Sequence, residues 1–112
     1  MKHVTLTEVS AEQAAHPSPY LEFMREDSMS LGLYVLPVGS QDKQSPHTED
    51  EVYIVEAGRA MFRSGDTDIA VAAGSILFVP AGEAHHFHDI TEELRLIVFF
   101  APPEYNAAEC PE

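Results

Sequence analysis

Hydrophobic and polar residues alternate in short runs along most of this chain. Alternation over four to eight residues is typical of β-strands, because successive side chains of a strand point to opposite faces. Turns rich in glycine and proline separate the runs, as at Ser64-Gly65-Asp66 and Pro80-Ala81-Gly82-Glu83. The pattern predicts eight strands, at residues 20–26, 30–36, a run ending near 56, 59–63, 67–72, 75–79, 84–90 and 94–101.

Two of these runs are more apolar than the others. Residues 75–79, SILFV, are apolar after the first position, which predicts a strand buried on both faces. Residues 94–101, LRLIVFFA, form the most hydrophobic strand. Ala57-Gly58 is predicted to turn the chain between strands, and residues 91–93 are predicted to be a polar connection.

Helix is predicted only near the N-terminus. Ser10-Ala11-Glu12-Gln13 has the form of a capping box, which predicts a helical turn over residues 11–15 that ends before Pro17 and Pro19. Residues 1–7 are compatible with an edge strand. The predicted organisation is therefore an N-terminal arm at 1–19, one β-domain at 20–101 and a poorly ordered acidic tail at 102–112.

Many short strands with close turns and little helix indicate an all-β sandwich or barrel of antiparallel strands. A double-sheet jelly roll is one such architecture. The chain has 112 residues, enough for one domain with its own core.

Charge and cysteine content limit the partners and the compartment. Six basic residues against 19 acidic ones give a net charge of −13, which argues against nucleic acid and anionic membrane surfaces as partners. No apolar run approaches the roughly 20 residues of a membrane span, and no signal peptide is recognised. Cys110 is the single cysteine, so no internal disulfide forms and a cytoplasmic location is expected.

Candidate chemistry lies in two of the predicted strands. His47, Glu49, Glu51 and Tyr53 are spaced two apart and share one strand face. His85 follows the turn at residues 80–83. If the fold brings them together, His47, Glu51 and His85 offer two imidazoles and a carboxylate, which suit a divalent metal ion and leave positions open for substrate or oxygen. The alternative interpretation places a surface histidine and acid on an edge strand.

Two neighbours of these residues bear on the same site. Glu49 and Glu51 on an inward face would repel each other unless a cation neutralised them. Tyr53 is a candidate to donate a hydrogen bond to a ligand oxygen, and the alternative is a core aromatic residue with a satisfied hydroxyl.

Residues 39–58 and 74–89 also carry two spaced motifs. The first contains Gly39, His47, Glu51 and Gly58, and the second contains Gly74, Pro80, Gly82, His85 and Asp89. These spacings resemble the two motifs of the cupins. Ser45 stands where the first motif has a histidine, and Asp89 stands where the second ends in asparagine.

The resemblance implies a double-stranded β-helix, the jelly-roll barrel of cupins, with a metal ion held by His47, Glu51 and His85. Family members usually use three histidines and a glutamate, so we expect Glu49 to take the position vacated at Ser45. Fe(II) is the favoured ion, with Zn, Ni or Mn as alternatives. The family habit of pairing barrels implies a homodimer, with the strand at 94–100 and the N-terminus as candidate contacts.

Three functions are consistent with this resemblance. The first is a mononuclear divalent-metal cupin that binds a small molecule in the barrel and acts as a dioxygenase, with Tyr53 as proton donor. Small cupins of that kind cleave diketones, thiols or phenolic compounds. The second is a non-catalytic cupin that binds a metabolite or sugar. The third is a metal-free isomerase or epimerase in which His47 or His85 serves as general base.

Overall fold

Six strands and one helix form the described part of the chain, which in the computed structural model comprises residues 1–43 and 46–104. Their bounds are α1 Leu6–Ala14, β1 Tyr20–Arg25, β2 Ser30–Leu36, β3 Asp50–Ser64, β4 Thr67–Ala72, β5 Ile76–Val79 and β6 His85–Ala101. The mainly antiparallel all-β architecture agrees with the prediction.

The antiparallel pair of β3 and β6 runs through the whole fold, from Asp50 opposite Ala101 to Ser64 opposite His85. The first part of β3 also pairs with β5, while the last part of β6 pairs with β2, and β1 lies outside β2. The second part of β3 pairs with β4 instead. The ladder therefore contributes to two layers of sheet. One layer contains β5, β2 and β1 beside the ladder, and the other contains β4.

The two layers pack face to face around one core. The ring of Tyr53, in the first part of β3, lies 5.8 Å from that of Phe62 in the second part and 5.0 Å from that of Phe87 in β6. Alternate residues of the two long strands fill the interior, including Tyr53, Val55, Phe62, Phe87, Leu94, Leu96, Val98 and Phe100. Helix α1 covers a smaller cluster through Val9, which packs with Leu21 and Leu33.

The number of strands differs from the prediction because β3 and β6 each join two predicted strands. The turn predicted at Ala57-Gly58 is a bend within β3, where the pairing register with β6 shifts between Val55 and Met61. Gly58 has a φ of +103°, and a Cβ there would lie 2.2 Å from the carbonyl oxygen of Glu93. The bend is therefore made by a glycine and by register shifts, while the hydrogen-bonded ladder continues past it.

The helix begins earlier than predicted, and the capping box predicted at Ser10 was wrong. Thr5 is the N-cap: its hydroxyl accepts from the Glu8 amide at 3.1 Å, and the Glu8 carboxylate accepts from the Thr5 amide at 3.1 Å. Residues 1–5 precede this helix and do not form an edge strand. Of the described residues, none belongs to a helix with the length and hydropathy needed to cross a membrane.

Strand β5 is buried on one face only, in contrast to the prediction for residues 75–79. Ile76 and Phe78 are 70% and 65% exposed, whereas Val79 is 1% exposed. The reason is that β5 contributes Leu77 and Val79 to the interior while no described layer covers its outer face.

The hydrophobicity of residues 94–100 is explained within the chain. Leu94, Leu96, Val98 and Phe100 all point into the core and are at most 2% exposed. Ile97 and Phe99, on the opposite face of the strand, are half-buried, and the homodimer stays a prediction.

The C-terminal segment packs onto the barrel before the described residues end. Pro103 and Glu104 are buried, and the Glu104 amide donates to the Ser30 hydroxyl at 3.1 Å. The remainder of the predicted tail, including Cys110, lies outside the described residues.

A charged network lies across the outer face of β4, β3 and β6. Asp68 of β4 accepts from Arg63 of β3 at 2.8 Å and lies 2.8 Å from Nε2 of His88 in β6. Asp89 lies 3.1 Å from the other ring nitrogen of His88. The Asp68 carboxylate, opposed in part by desolvation and helped by Asp89, raises the pKa of His88 above its ordinary value of 6.5.

We expect His88 to titrate above pH 6.5 in a ¹H–¹³C NMR titration, because its imidazolium form is paired with Asp68. A raised pKa means that the pair stabilises the fold below pH 6.5 and that this contribution is lost as pH rises through the folded-state pKa. Asp68→Asn should lower the pKa of His88 more than Asp89→Asn does. An equal effect of the two substitutions would contradict the assignment.

Gly58→Ala should destabilise the protein by roughly 3 kcal/mol or more in urea unfolding, because strain at positive φ adds to a backbone clash with Glu93. Gly74→Ala is the matched control: its φ of +94° is similar, but nothing lies within 4 Å of an added Cβ. We expect the control to cost only roughly 1–2 kcal/mol. Equal losses in the two variants would show that the close approach at Gly58 does not matter.

Candidate metal centre

The structure brings His47, Glu51 and His85 together. Each offers one ligand atom, and these atoms all lie within 4.8 Å of one another. His47 comes from the loop before β3, Glu51 is the second residue of β3, and His85 is the first residue of β6. Glu51 and His85 are 2% and 6% exposed, and His47 is half-buried.

The meeting of Glu51 and His85 depends on the bend of the β3–β6 ladder. In the ladder Glu51 is opposite Phe100, whereas His85 is opposite Ser64, 13 positions further along β3. A straight strand of that length would span roughly 43 Å at about 3.3 Å per residue. Oε1 of Glu51 nevertheless lies 2.9 Å from Nε2 of His85, because the two layers face each other.

The turn at residues 80–83 fixes the loop that carries His47. The Gly82 amide donates to the His47 carbonyl at 2.7 Å, and the Ala81 amide donates to Oδ1 of Asp50 at 2.9 Å. Gly82 has a φ of +82°, which a glycine adopts without strain. The glycine of the second motif thus joins that motif to the histidine of the first.

The tautomer of His85 is set by its surroundings. Nδ1 lies 2.8 Å from the Glu83 carbonyl oxygen, which only accepts, so Nδ1 carries a proton. Nε2 then points toward Glu51, and it also lies 3.1 Å from the Tyr53 hydroxyl. A backbone contact that orients a histidine in this way is typical of metal ligands.

Glu51 presents a buried carboxylate oxygen that lacks a hydrogen-bond donor among the described residues. This oxygen, Oε1, lies 2.9 Å from Nε2 of His85, close enough for an ion pair when the imidazole is protonated. Desolvation lowers the pKa of His85, yet the Glu51 carboxylate, the Glu83 carbonyl and Asp42 together raise it above its ordinary value. The position between Nε2 and Oε1 therefore favours positive charge, supplied by a proton or by a metal cation.

These residues fit a divalent ion. Two imidazole nitrogens and one carboxylate are donors that borderline metals accept. A cation would also satisfy the buried oxygen of Glu51. The donor set agrees with the metal ligands predicted from the sequence.

Glu49 is buried, at 2% exposure, and accepts from the Thr48 hydroxyl at 3.0 Å. It is not a member of the three-residue group whose ligand atoms lie within 4.8 Å of one another. Ser45, whose position it was expected to replace, lies outside the described residues. A fourth ligand from Glu49 stays a prediction.

Tyr53 is a core aromatic residue, as one of the two interpretations from the sequence had it. Its ring is fully buried and packs against Phe62 and Phe87. Its hydroxyl reaches the site, where it lies 3.1 Å from Nε2 of His85. Its catalytic role stays a prediction.

Two buried carboxylates near the site were missed by the sequence analysis. Asp42 accepts from the Tyr34 hydroxyl at 2.6 Å and from the Phe87 amide at 2.8 Å, and it contributes to the raised pKa of His85. Glu104 places Oε2 3.8 Å from Nδ1 of His47. Asp42 lies within the first motif, which was a usable signal, whereas nothing in the sequence indicated that Glu104 folds back.

Comparisons with known proteins agree with this geometry. The family described as Cupin domain matches residues 32–100. An uncharacterised protein of Streptomyces coelicolor is 52% identical over 104 residues, covering 93% of this chain and 99% of that protein.

Solved structures show the same fold. A protein of Thermus thermophilus has a TM-score of 0.75 at 26% identity, covering 92% of this chain and 99% of that one. A Bacillus halodurans protein has a TM-score of 0.73 at 21% identity, covering 100% of this chain and 86% of that one. The matched family domain spans both motifs and both strands of the ladder. The chain therefore belongs to the cupin family.

Proposed function

We propose that this cupin binds one divalent metal ion through His47, Glu51 and His85 and acts on a small molecule as a dioxygenase. The observation that supports the proposal most is the buried Oε1 of Glu51. It has no hydrogen-bond donor among the described residues and faces Nε2 of a histidine whose other nitrogen is already bonded. Such an oxygen is costly to bury unless a cation neutralises it.

The donor types favour Fe(II). Two histidines and one carboxylate with open positions are the ligand set of non-haem Fe(II) oxygenases, although Zn, Ni and Mn accept the same donors. When bound, the ion would supply Lewis acidity and a template for oxygen and a chelating substrate.

The surrounding residues would control charge and water. Asp42, Glu49 and Glu104 are buried carboxylates in the same region, and their negative charge would help to balance a divalent ion. Phe100 packs its ring 5.0 Å from that of His47 and restricts the imidazole. These residues would hold His47 and exclude water from one side of the site.

Tyr53 would move the proton. Its hydroxyl lies 3.1 Å from Nε2 of His85. With Nε2 of His85 serving as a metal ligand, the Tyr53 hydroxyl would donate to another acceptor, and a substrate oxygen in the site is a suitable one. Full burial of the ring would hold the hydroxyl in position for this donation.

Two other functions lead to different results. A non-catalytic metabolite- or sugar-binding cupin would retain a metal without oxygen uptake. A metal-free isomerase or epimerase would keep full activity after chelation, with His85 as general base assisted by Glu51. The cytoplasmic location, the homodimer and the exclusion of nucleic acid stay predictions.

We expect the protein, purified without a metal-affinity step and reconstituted anaerobically with Fe(II), to contain one equivalent of iron by elemental analysis. His47→Ala, Glu51→Gln and His85→Ala each remove a donor and should lower affinity by more than the roughly 10–100-fold typical of outer-shell changes. His3→Ala changes an exposed histidine and is the control. Unchanged stoichiometry in the three site variants, with circular dichroism unaltered, would contradict the assignment.

Tyr53→Phe separates metal binding from catalysis, because it removes only the hydroxyl and keeps the buried ring. We expect iron content to be unchanged and oxygen uptake with a diketone, thiol or phenolic substrate to fall roughly 10²–10⁴-fold. Phe23→Leu, a change on β1 outside the site, is the control. Full turnover in Tyr53→Phe would exclude the proton-donor role, and no oxygen uptake by the iron-loaded wild type with any of the three substrate classes would favour the binding function.

A further inference from the structure

A cleft opens on the side of the barrel between β4 and β5. Both strands pair with β3 but not with each other, so their facing edges leave a gap. The cavity has a volume of about 470 Å³ and is lined by ten described residues. A volume of roughly 300–1,000 Å³ is typical of small-molecule sites.

Large hydrophobic side chains line one part of the cleft, and polar residues line the rest. Ile69, Ile76 and Phe78 line it and are 42%, 70% and 65% exposed. Phe62 and Leu77 also line it from the core side. Single exposed hydrophobic residues are normal, but three large ones around one cavity indicate a surface that binds something apolar.

One end of the cleft is acidic. Glu83 is half-buried there, and its Oε2 accepts a hydrogen bond from the Ser64 hydroxyl. Its Oε1 has no hydrogen-bond donor among the described residues. Of the ten described residues that line the cleft, the ionisable ones are Glu83 and Asp66, so none of them supplies a positive charge.

We propose that this cleft binds a small organic cation, an amine or guanidine carried on an apolar body. The apolar walls suit the body, and Oε1 of Glu83 suits the cationic head through a charge-assisted hydrogen bond. The net charge of −13 attracts cations and repels carboxylates and phosphates. A bare metal ion is disfavoured, because it would gain nothing from the exposed side chains of Ile69, Ile76 and Phe78.

This cleft adjoins the three-residue metal group but does not include it: the Phe62 ring lies 6.0 Å from that of His85, and the Glu83 carbonyl lies 2.8 Å from Nδ1 of His85. None of His47, Glu51 or His85 lines it. The proposal therefore does not depend on bound metal and can hold whether or not the dioxygenase function does.

The test uses three probes of similar size in NMR titrations of metal-free and Zn-loaded protein. 2-Phenylethylammonium should bind with shift changes confined to the cleft, 2-phenylethanol should bind more weakly, and 3-phenylpropionate should not bind. Raising the salt concentration should weaken the binding of 2-phenylethylammonium but not that of 2-phenylethanol, since salt screens the interaction between charges.

Two variants locate the site. Glu83→Gln keeps an acceptor for the Ser64 hydroxyl but removes the charge. It should lower the affinity for 2-phenylethylammonium roughly 10–100-fold and leave the affinity for 2-phenylethanol unchanged. Phe78→Ala should lower the affinity for both probes. Val38→Ala is the control, because Val38 is 61% exposed and does not line the cleft.

Equal affinity for the ammonium and carboxylate probes would overturn the proposal. An unchanged affinity in Glu83→Gln would also overturn it, as would shift changes centred on residues outside the cleft. Thermal unfolding of each variant verifies that it is folded before its affinity is measured.

Discussion

The bend of the β3–β6 ladder is the constraint on which the rest of the structure depends. Without it, the ladder would be one long ribbon with Glu51 near one end and His85 near the other. With it, the inner faces of the two halves pack on each other and the rings of Tyr53, Phe62 and Phe87 meet. The bend therefore both forms the core and brings the residues of the candidate metal centre together. Gly58 permits it, because Glu93 passes too close for any side chain.

Part of this arrangement could be predicted from the sequence, and the residues explain which part. The spacing of His47, Glu51, Gly82 and His85 reflects a strand period and a tight turn, which are local features. The motifs therefore indicated three side chains that the structure brings together. A glycine also indicates where the backbone changes direction, but it does not reveal whether the chain reverses in a turn or bends within a strand. At Gly58 the strand bends and continues, which is why two predicted strands are one.

Features that depend on distant contacts were not predictable in the same way. The apolar run in β5 gave no sign that Ile76 and Phe78 face outward, because that depends on which layers surround the strand. Glu104 follows two prolines at the end of the last strand, and its approach to His47 depends on the anchoring of its amide by Ser30. Asp42 lies in a loop whose path is fixed by bonds to Tyr34 and Phe87, the second of them far along the chain.

The site also shows how a small barrel holds charge inside it. Each histidine has an acceptor near Nδ1: a carbonyl at 2.8 Å for His85 and a carboxylate at 3.8 Å for His47. The interior then contains more acidic than basic groups, with Asp42, Glu49, Glu51 and Glu104 all buried. Such an excess of buried negative charge is stable only with compensating hydrogen bonds or cations.

The position of β6 near the end of the described chain has a consequence for biosynthesis. It is the central partner of both β2 and β3, so neither layer is complete until the ribosome has released residues up to 101. The paired residues of β3 and β6 are 21 positions apart at one end (Ser64 with His85) and 51 apart at the other (Asp50 with Ala101). Such distant pairing makes folding slow compared with helical domains of this size. The nascent chain would therefore expose unpaired apolar strands until residues up to 101 have emerged from the ribosome.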